Sequence, residues 1–541
     1  MKKLVSLLLA LAVLMGCAAA VAEPTNSNPL SDVRVRQALA YAIDMDAIID
    51  SLMAGKATVA QVMAPEGAWR AEGLNPYSYD PDKARELLKD AGWDSGKVLD
   101  VVYYYGDQMT VDLLTAIQAY WADVGVQMTM RKLEGDLASQ LWVAPEDPLN
   151  GPSAVGWDLA YAAVAALSMG DYYDRYQSGY SSNSYNPSDP KLDELIAATN
   201  ATGDVDAQIA AYHALEKYEN EMEINIPLYH QPVFVVQSDR LNRGDAPYGN
   251  EQYLYNWDII NWDIEPGADG KKVLLTNGGP AEFFETPFFN PGFLMSQKVL
   301  FDRLLVADEN LSPKAGALAS DYSLSEDGKT FTVTLRDGVK WHDGEDITPE
   351  DVVFTVELAT KAQTNPVILT TFKALEGYEE YAAGTADHIS GIVVDGRNIT
   401  FKFAKVNPNI LLTFTQFAPL PMKYLKDVDP ALLQQADYWQ FPIGSGPFKL
   451  QDVKMGEYAT YVPFEEYYGG VAKIDEIRMY PSGESDSNLV KNAMAGQVDY
   501  AYTKSVEDVL ALEAMENMKV TPVNVRYTRL LYVNKFPHAE K

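Results

Sequence analysis

Apolar residues recur at helical spacing in three early stretches of the chain. Val35, Ala38, Leu39, Ala42 and Ile43 share one face behind Asp32, a side chain suited to accept from the unpaired amides of a first helical turn. Asp80 and Pro81 open a second helix with the stripe Ala84, Leu87, Leu88 and Ala91, and Gly92 ends it. A third covers Met109 to Val124 and leads into a strand from Val126 to Leu133, an alternation that predicts an α/β region. Farther along the period drops to two. Phe331, Val333 and Leu335 alternate with Thr332, Thr334 and Arg336, while Asp327-Gly328, Asp337-Gly338 and Asp343-Gly344 supply turns, which predicts antiparallel sheet. Thr348-Pro349-Glu350-Asp351 starts a helix, and Ile399, Phe401 and Phe403 make another alternating strand after Asp395-Gly396. The polar, turn-rich run Glu265 to Gly270 marks a boundary between the two styles.

The first residues have a different character. Lys2 and Lys3 precede an apolar run from Leu4 to Met15, too short to span a bilayer, which predicts an export signal over residues 1–22. Leu14-Met15-Gly16-Cys17 resembles the bacterial lipobox, in which Cys17 is lipidated and becomes the first mature residue; the rival is plain cleavage after Ala20-Val21-Ala22. Cys17 is the only cysteine, so the exported body holds no disulfide and depends on its core. At 541 residues that core must be divided among lobes. A formal charge of −33, without a compensating basic stripe, argues against nucleic acid as a partner.

The run from Leu318 to Phe354, including Trp341-His342-Asp343-Gly344 and Thr348-Pro349-Glu350-Asp351, resembles the peptide-binding family of ABC-transporter solute-binding proteins, the oligopeptide/dipeptide-binding family 5. Ile443-Gly444-Ser445-Gly446-Pro447-Phe448, Asp32 to Asp44 and Tyr79 to Gly92 resemble further segments of it. Their order is exchanged relative to that family. Placing Leu531 to Lys541 before Asn28 to Arg36 restores its usual continuous stretch, so the chain resembles a circular permutant; a fusion of halves from two homologues would give the same order.

The resemblance implies a two-lobed periplasmic-binding-protein-like α/β fold, type II and class C with an extra subdomain. It implies a ligand-binding lobe over 30–228 that matches the family's C-terminal half, a return over 229–264 through Ile226 to Tyr229, and a linker over 265–270. A second lobe over 271–541, with the subdomain at about 300–440, completes the expectation, and the cut at Lys541 and Asn28 would open one of two hinge crossings.

The five histidines show no paired metal spacing, and neither a phosphate loop nor a nucleophile elbow is present, so no metal, cofactor or catalytic residue is expected. The resemblance implies a ligand aspartate between Trp157-Asp158-Leu159 and Asn183-Ser184-Tyr185, and Asp171 is the positional match; Trp157, Tyr172 and Tyr173 join it as candidates. On the other lobe the candidates are Phe288, Phe289 and Asn290, with Tyr532 and Asn534 on the hinge strand. Arg34 and Arg36 are expected in interlobe or surface pairs. The implied function is capture of a peptide-like small molecule by a monomer, tethered to the membrane through a lipid anchor or free in the periplasm, and delivery to ABC-transporter permease subunits. The alternatives are a secreted peptide or glycan hydrolase and a non-transport surface receptor or chaperone.

Overall fold

The computed structural model describes residues 28–166, 168–245, 258–280, 282–288, 295–308, 313–362, 364, 366–481 and 488–538. The predicted helices form with the expected caps. Asp32 accepts from the Arg34 amide ahead of Val33–Tyr41, and Asp80 from the Lys83 amide ahead of Pro81–Asp90. Asp107, two residues before the predicted start, caps Gln108–Asp123, and the strand after it is Gln127–Lys132.

These elements build a six-stranded sheet in the spatial order Thr58–Val59, Ile226–His230, Tyr527–Val533, Leu159–Ala165, Val98–Tyr103 and Gln127–Lys132. Both faces are covered, so side chains of one strand serve two cores. Leu531 and Val533 pack with Val101, Trp121 and the helices Val33–Tyr41, Met45–Met53 and Gln108–Asp123. Leu530 and Tyr532 face the other way, into a core with Trp157, Tyr172, Tyr173 and Leu215.

A seven-stranded sheet lies in the second lobe, ordered Phe448–Lys454, Tyr458–Pro463, Glu476–Pro481, Val273–Gly279, Tyr500–Thr503, Val233–Ser238 and Met518–Val523. The predicted antiparallel region is a four-stranded sheet in which Thr330–Leu335 pairs on one side with Ala319–Leu324 and on the other with Asn398–Lys402. Phe331, Val333 and Leu335 point inward, and Thr332 and Thr334 meet Thr400 and Asn398 across the ladder. This sheet shares one continuous core with the seven-stranded sheet, so the subdomain at about 300–440 is not packed as a separate unit.

Two expectations change. Strand Tyr527–Val533, assigned by chain order to the second lobe, sits inside the six-stranded sheet between Ile226–His230 and Leu159–Ala165. Thr528 to Val533 are all buried, and a run with no exposed face belongs in a sheet covered on both sides. The chain therefore crosses between lobes twice, at Gln231-Pro232 and again at Asn524 to Arg526, and neither crossing is opened. The first and last described residues meet instead at the far end of that strand. The Asn28 side-chain amide donates to the carbonyls of Asn534 at 2.9 Å and Phe536 at 2.7 Å, and His538 hydrogen-bonds Asp158 at 2.9 Å.

Arg36 is the second correction. Arg34 makes the expected surface pair with Asp32 at 2.6 Å. Arg36 is buried, and its guanidinium donates to the carbonyls of Leu30, Ser31, Met222 and Glu223, where it holds a helix start against the end of Val205–Met222.

Candidate ligand-binding cleft

Strand Leu159–Ala165 runs antiparallel to Tyr527–Val533, with Ala165 opposite Tyr527. That register carries the chain after Ala165 to the second crossing, where the Ala166 amide donates to the Arg526 carbonyl at 2.9 Å. The short helix Gly170–Tyr173 follows. Asp171 lies at its start, and its carboxylate accepts from the Ser168 amide at 2.9 Å, closing its own turn.

Tyr172 and Tyr173 point back into the lobe. The Tyr172 hydroxyl is 3.4 Å from the Thr528 hydroxyl, and the Tyr173 hydroxyl donates to Glu216 at 3.2 Å. Tyr176 repeats the arrangement one turn on, with Glu219 at 3.3 Å. Burial pushes both carboxyls up to about 8, so a neutral acid is the favoured form in this core.

Beside this wall a cleft opens between the lobes. The six-stranded lobe supplies Trp69, Met169, Gln208, Tyr212 and Arg526; the four-stranded subdomain supplies Pro408, Asn409, Leu411 and Leu412. Trp69 and Tyr212 meet edge to face at 5.9 Å. Gln208 reaches across and donates to the Pro408 carbonyl at 3.2 Å. Gly203 lies so close to Leu324 of the other lobe that a Cβ there would stand 3.1 Å from its methyl group. As it stands the cleft encloses about 50 Å³. Pockets that bury a drug-sized ligand run to roughly 300–1,000 Å³, so the cleft as it stands is too small for one. At the hinge, Lys56 and Glu513 form an ion pair between the lobes at 2.6 Å.

The sequence-predicted residues are only partly brought together. Asp171, Tyr172 and Tyr173 adjoin the cleft wall, but none is among its lining residues. Trp157 is buried on the strand's inner face, its indole donating to the Gln140 carbonyl at 3.2 Å. Tyr532 is wedged between Trp142 and Tyr185, each 4.9 Å away. Asn534 donates to Ser153 at 2.9 Å and to the Trp157 carbonyl at 3.0 Å. Phe288 is stacked on Phe417 at 5.7 Å in the core of the second lobe. Packing claims all four, because each large or polar side chain finds its partners inside a lobe. Cys17, Phe289 and Asn290 lie outside the described residues.

Sequence reasoning missed Trp69, Tyr212 and Arg526. Tyr212 was within reach, since Asp204 caps helix Val205–Met222 by accepting from the Ala207 amide, a readable start signal. Trp69 sits in a segment without periodicity, and Arg526 is significant only because a crossing falls there.

Among the described residues no group of three or more His, Cys, Asp or Glu side chains assembles as a metal site, and no helix is long and apolar enough to cross a membrane.

The family description "Bacterial extracellular solute-binding proteins, family 5 Middle" matches residues 18–203 and 315–536. The chain is 31% identical over 224 residues to the oligopeptide-binding protein OppA of Lactococcus lactis subsp. lactis strain IL1403, across 40% of this chain and 37% of that protein. It is 34% identical over 168 residues to OppA of subsp. cremoris strain SK11, across 29% and 28%. Among solved structures, lactococcal OppA complexed with an endogenous peptide in the closed conformation is similar at 24% identity with a TM-score of 0.38, over 46% of this chain and 48% of that one. These matches span well under two thirds of the length of either relative.

Proposed function

Since the chain belongs to the bacterial extracellular solute-binding proteins of family 5, we propose that it captures a peptide-like small ligand between its lobes and hands it to an ABC transporter. The observation that carries this reading is the cleft itself, walled by both lobes at a hinge of two short crossings. A ligand that touches Trp69 and Tyr212 on one side and Leu411 and Leu412 on the other favours the closed form by its extra contacts there, which is the physical content of capture. Closure also gives a permease a surface that the open form lacks. The OppA relatives' names supply the ligand class, peptide, and the resemblance read in the sequence supplies the partner class, an ABC transporter.

The proposal includes a circularly permuted chain order. It is supported by the contact of Asn28 with Asn534 and Phe536, because joining two ends requires that they be neighbours.

Titration with a mixed tetra- and pentapeptide library, read by thermal unfolding and calorimetry, tests the function. At a hundred times Kd a bound peptide adds about 2.7 kcal/mol of stability, a shift of a few degrees in Tm. A library that leaves Tm unchanged refutes the peptide reading. Accumulating cleavage products would replace it with the hydrolase alternative.

A further inference from the structure

A second pocket, of about 210 Å³, lies within the six-stranded lobe and shares no lining residue with the cleft. Ile43, Leu228, Tyr77 and Tyr79 contribute to its lining, and the only charged residues among the described ones that line it are Asp46 and Glu223, both acidic. Asp46 is exposed, whereas Glu223 is only 2% exposed. Glu223 ends helix Val205–Met222 in the left-handed conformation at φ 43°, its amide donating to the Glu219 carbonyl and its own carbonyl accepting from Arg36. Its carboxylate makes no hydrogen bond or ion pair among the described residues. Tyr77 is left-handed too, at φ 45°, so the pocket holds two of the three described non-glycine residues with positive φ. Such positions usually go to glycine or asparagine, and a longer side chain kept there is held against strain.

We infer that this pocket is a second ligand site, one that takes the ammonium group of a small aliphatic amine: the nitrogen donates to the Glu223 carboxylate while the carbon chain packs against Tyr77, Ile43 and Leu228. Burial and the neighbouring Glu219 oppose negative charge on Glu223, and Arg36, engaged by backbone carbonyls, offsets them only in part. A cation bound there gives the carboxylate a partner, and a charge-assisted hydrogen bond counts for more in a partly dry pocket than in water. Aromatic faces favour the same sign of charge, and Tyr77 and Tyr79 both line the pocket. The volume sets the size of the ligand. It falls below the roughly 300–1,000 Å³ of a pocket for a drug-sized molecule, so the amine has only a few carbons. Every lining residue belongs to one lobe, so the site does not depend on lobe closure.

Calorimetric titration of the full chain at pH 7 with n-butylammonium chloride and with n-butanol tests the site. The parent is expected to bind the amine at least about tenfold more tightly than the alcohol. Glu223→Gln keeps the shape without the charge and should erase that preference. Glu223→Gly should erase it as well while leaving the unliganded protein at least as stable, since glycine adopts the left-handed backbone without strain. If Glu223→Gln fails to fold, Glu223→Gly decides. Equal affinity of the parent for amine and alcohol, or binding of neither, overturns the inference, as does a preference that survives Glu223→Gly. Displacement of the amine by an equal concentration of sodium ions, or by the peptide library, also overturns it, the first by marking an inorganic-cation site and the second by placing the amine in the cleft.

Discussion

Glu216 shows how far a single side chain departs from its sequence appearance. In the sequence it is one of 76 acidic residues; in the fold it is buried beside Glu219, accepting from the Ala71 amide at 2.7 Å and from Tyr173. Its folded pKa of about 8 stands above the ordinary 4.5, so between those values the folded state keeps a proton that the unfolded state releases. Stability from this group is complete below about pH 4.5 and declines as pH rises toward 8. Glu216→Gln keeps one acceptor and removes the titration. The variant should therefore lose less stability than the parent between pH 5 and 8, by up to roughly 3 kcal/mol in denaturant melts at the two pH values. Equal losses would show that Glu216 does not hold that proton. His230 works in the opposite sense, since burial lowers it to about 3 and its contribution fades as pH falls below 6.5; comparing parent and variant cancels it. None of this was legible in the sequence, where a carboxylate in an acidic chain looks like surface. Asp171 was legible as a position beside the crossing, but that its carboxylate accepts from the Ser168 amide was not.

Elements were more readable than residues, for reasons visible in helix Pro349–Lys361. Thr348 and Asp351 cap each other reciprocally, as the spacing predicts. The sequence did not show that Asp351 also accepts from the Met422 amide at 3.0 Å and the Trp341 indole at 3.4 Å. Thr348→Ala removes one cap and should cost about 1 kcal/mol, whereas Asp351→Ala strands buried donors and should cost about 2–3 kcal/mol more. Urea unfolding ranks the two, and the reverse order would refute the shared role of Asp351. Strand Tyr527–Val533 was the costlier misreading. Its consecutive Leu530, Leu531, Tyr532 and Val533 carry the mark of a strand covered on both faces, but chain order outweighed composition, and the hinge was placed one strand too far along.

At the scale of the molecule, the family and the α/β, multi-sheet architecture were legible because long motifs are readable in whatever order they occur. The cleft was not, since it is assembled from residues near 69, 208, 410 and 526 that share no local pattern. The proposed permutation makes a definite prediction. A chain running from 271 to 541 and on from 28 to 264 joins segments whose described residues, Asn28 with Asn534 and Phe536, already touch, and it leaves both crossings in place. It should therefore melt cooperatively and bind the peptide library with the parent's affinity. A non-cooperative melt would favour a fusion of ill-matched halves.

The meeting of Asn28 with Asn534 and Phe536 also determines how the protein bears mechanical load. Tension applied between Asn28 and His538 falls first on those amide contacts and on the pairing of His538 with Asp158. It next reaches the ladder holding Tyr527–Val533 in the middle of its sheet, and the crossing at Asn524 to Arg526 lies beyond that strand's other end. The hinge is therefore mechanically shielded from a pull on Asn28 and His538, which draws on a central strand before it reaches the crossing.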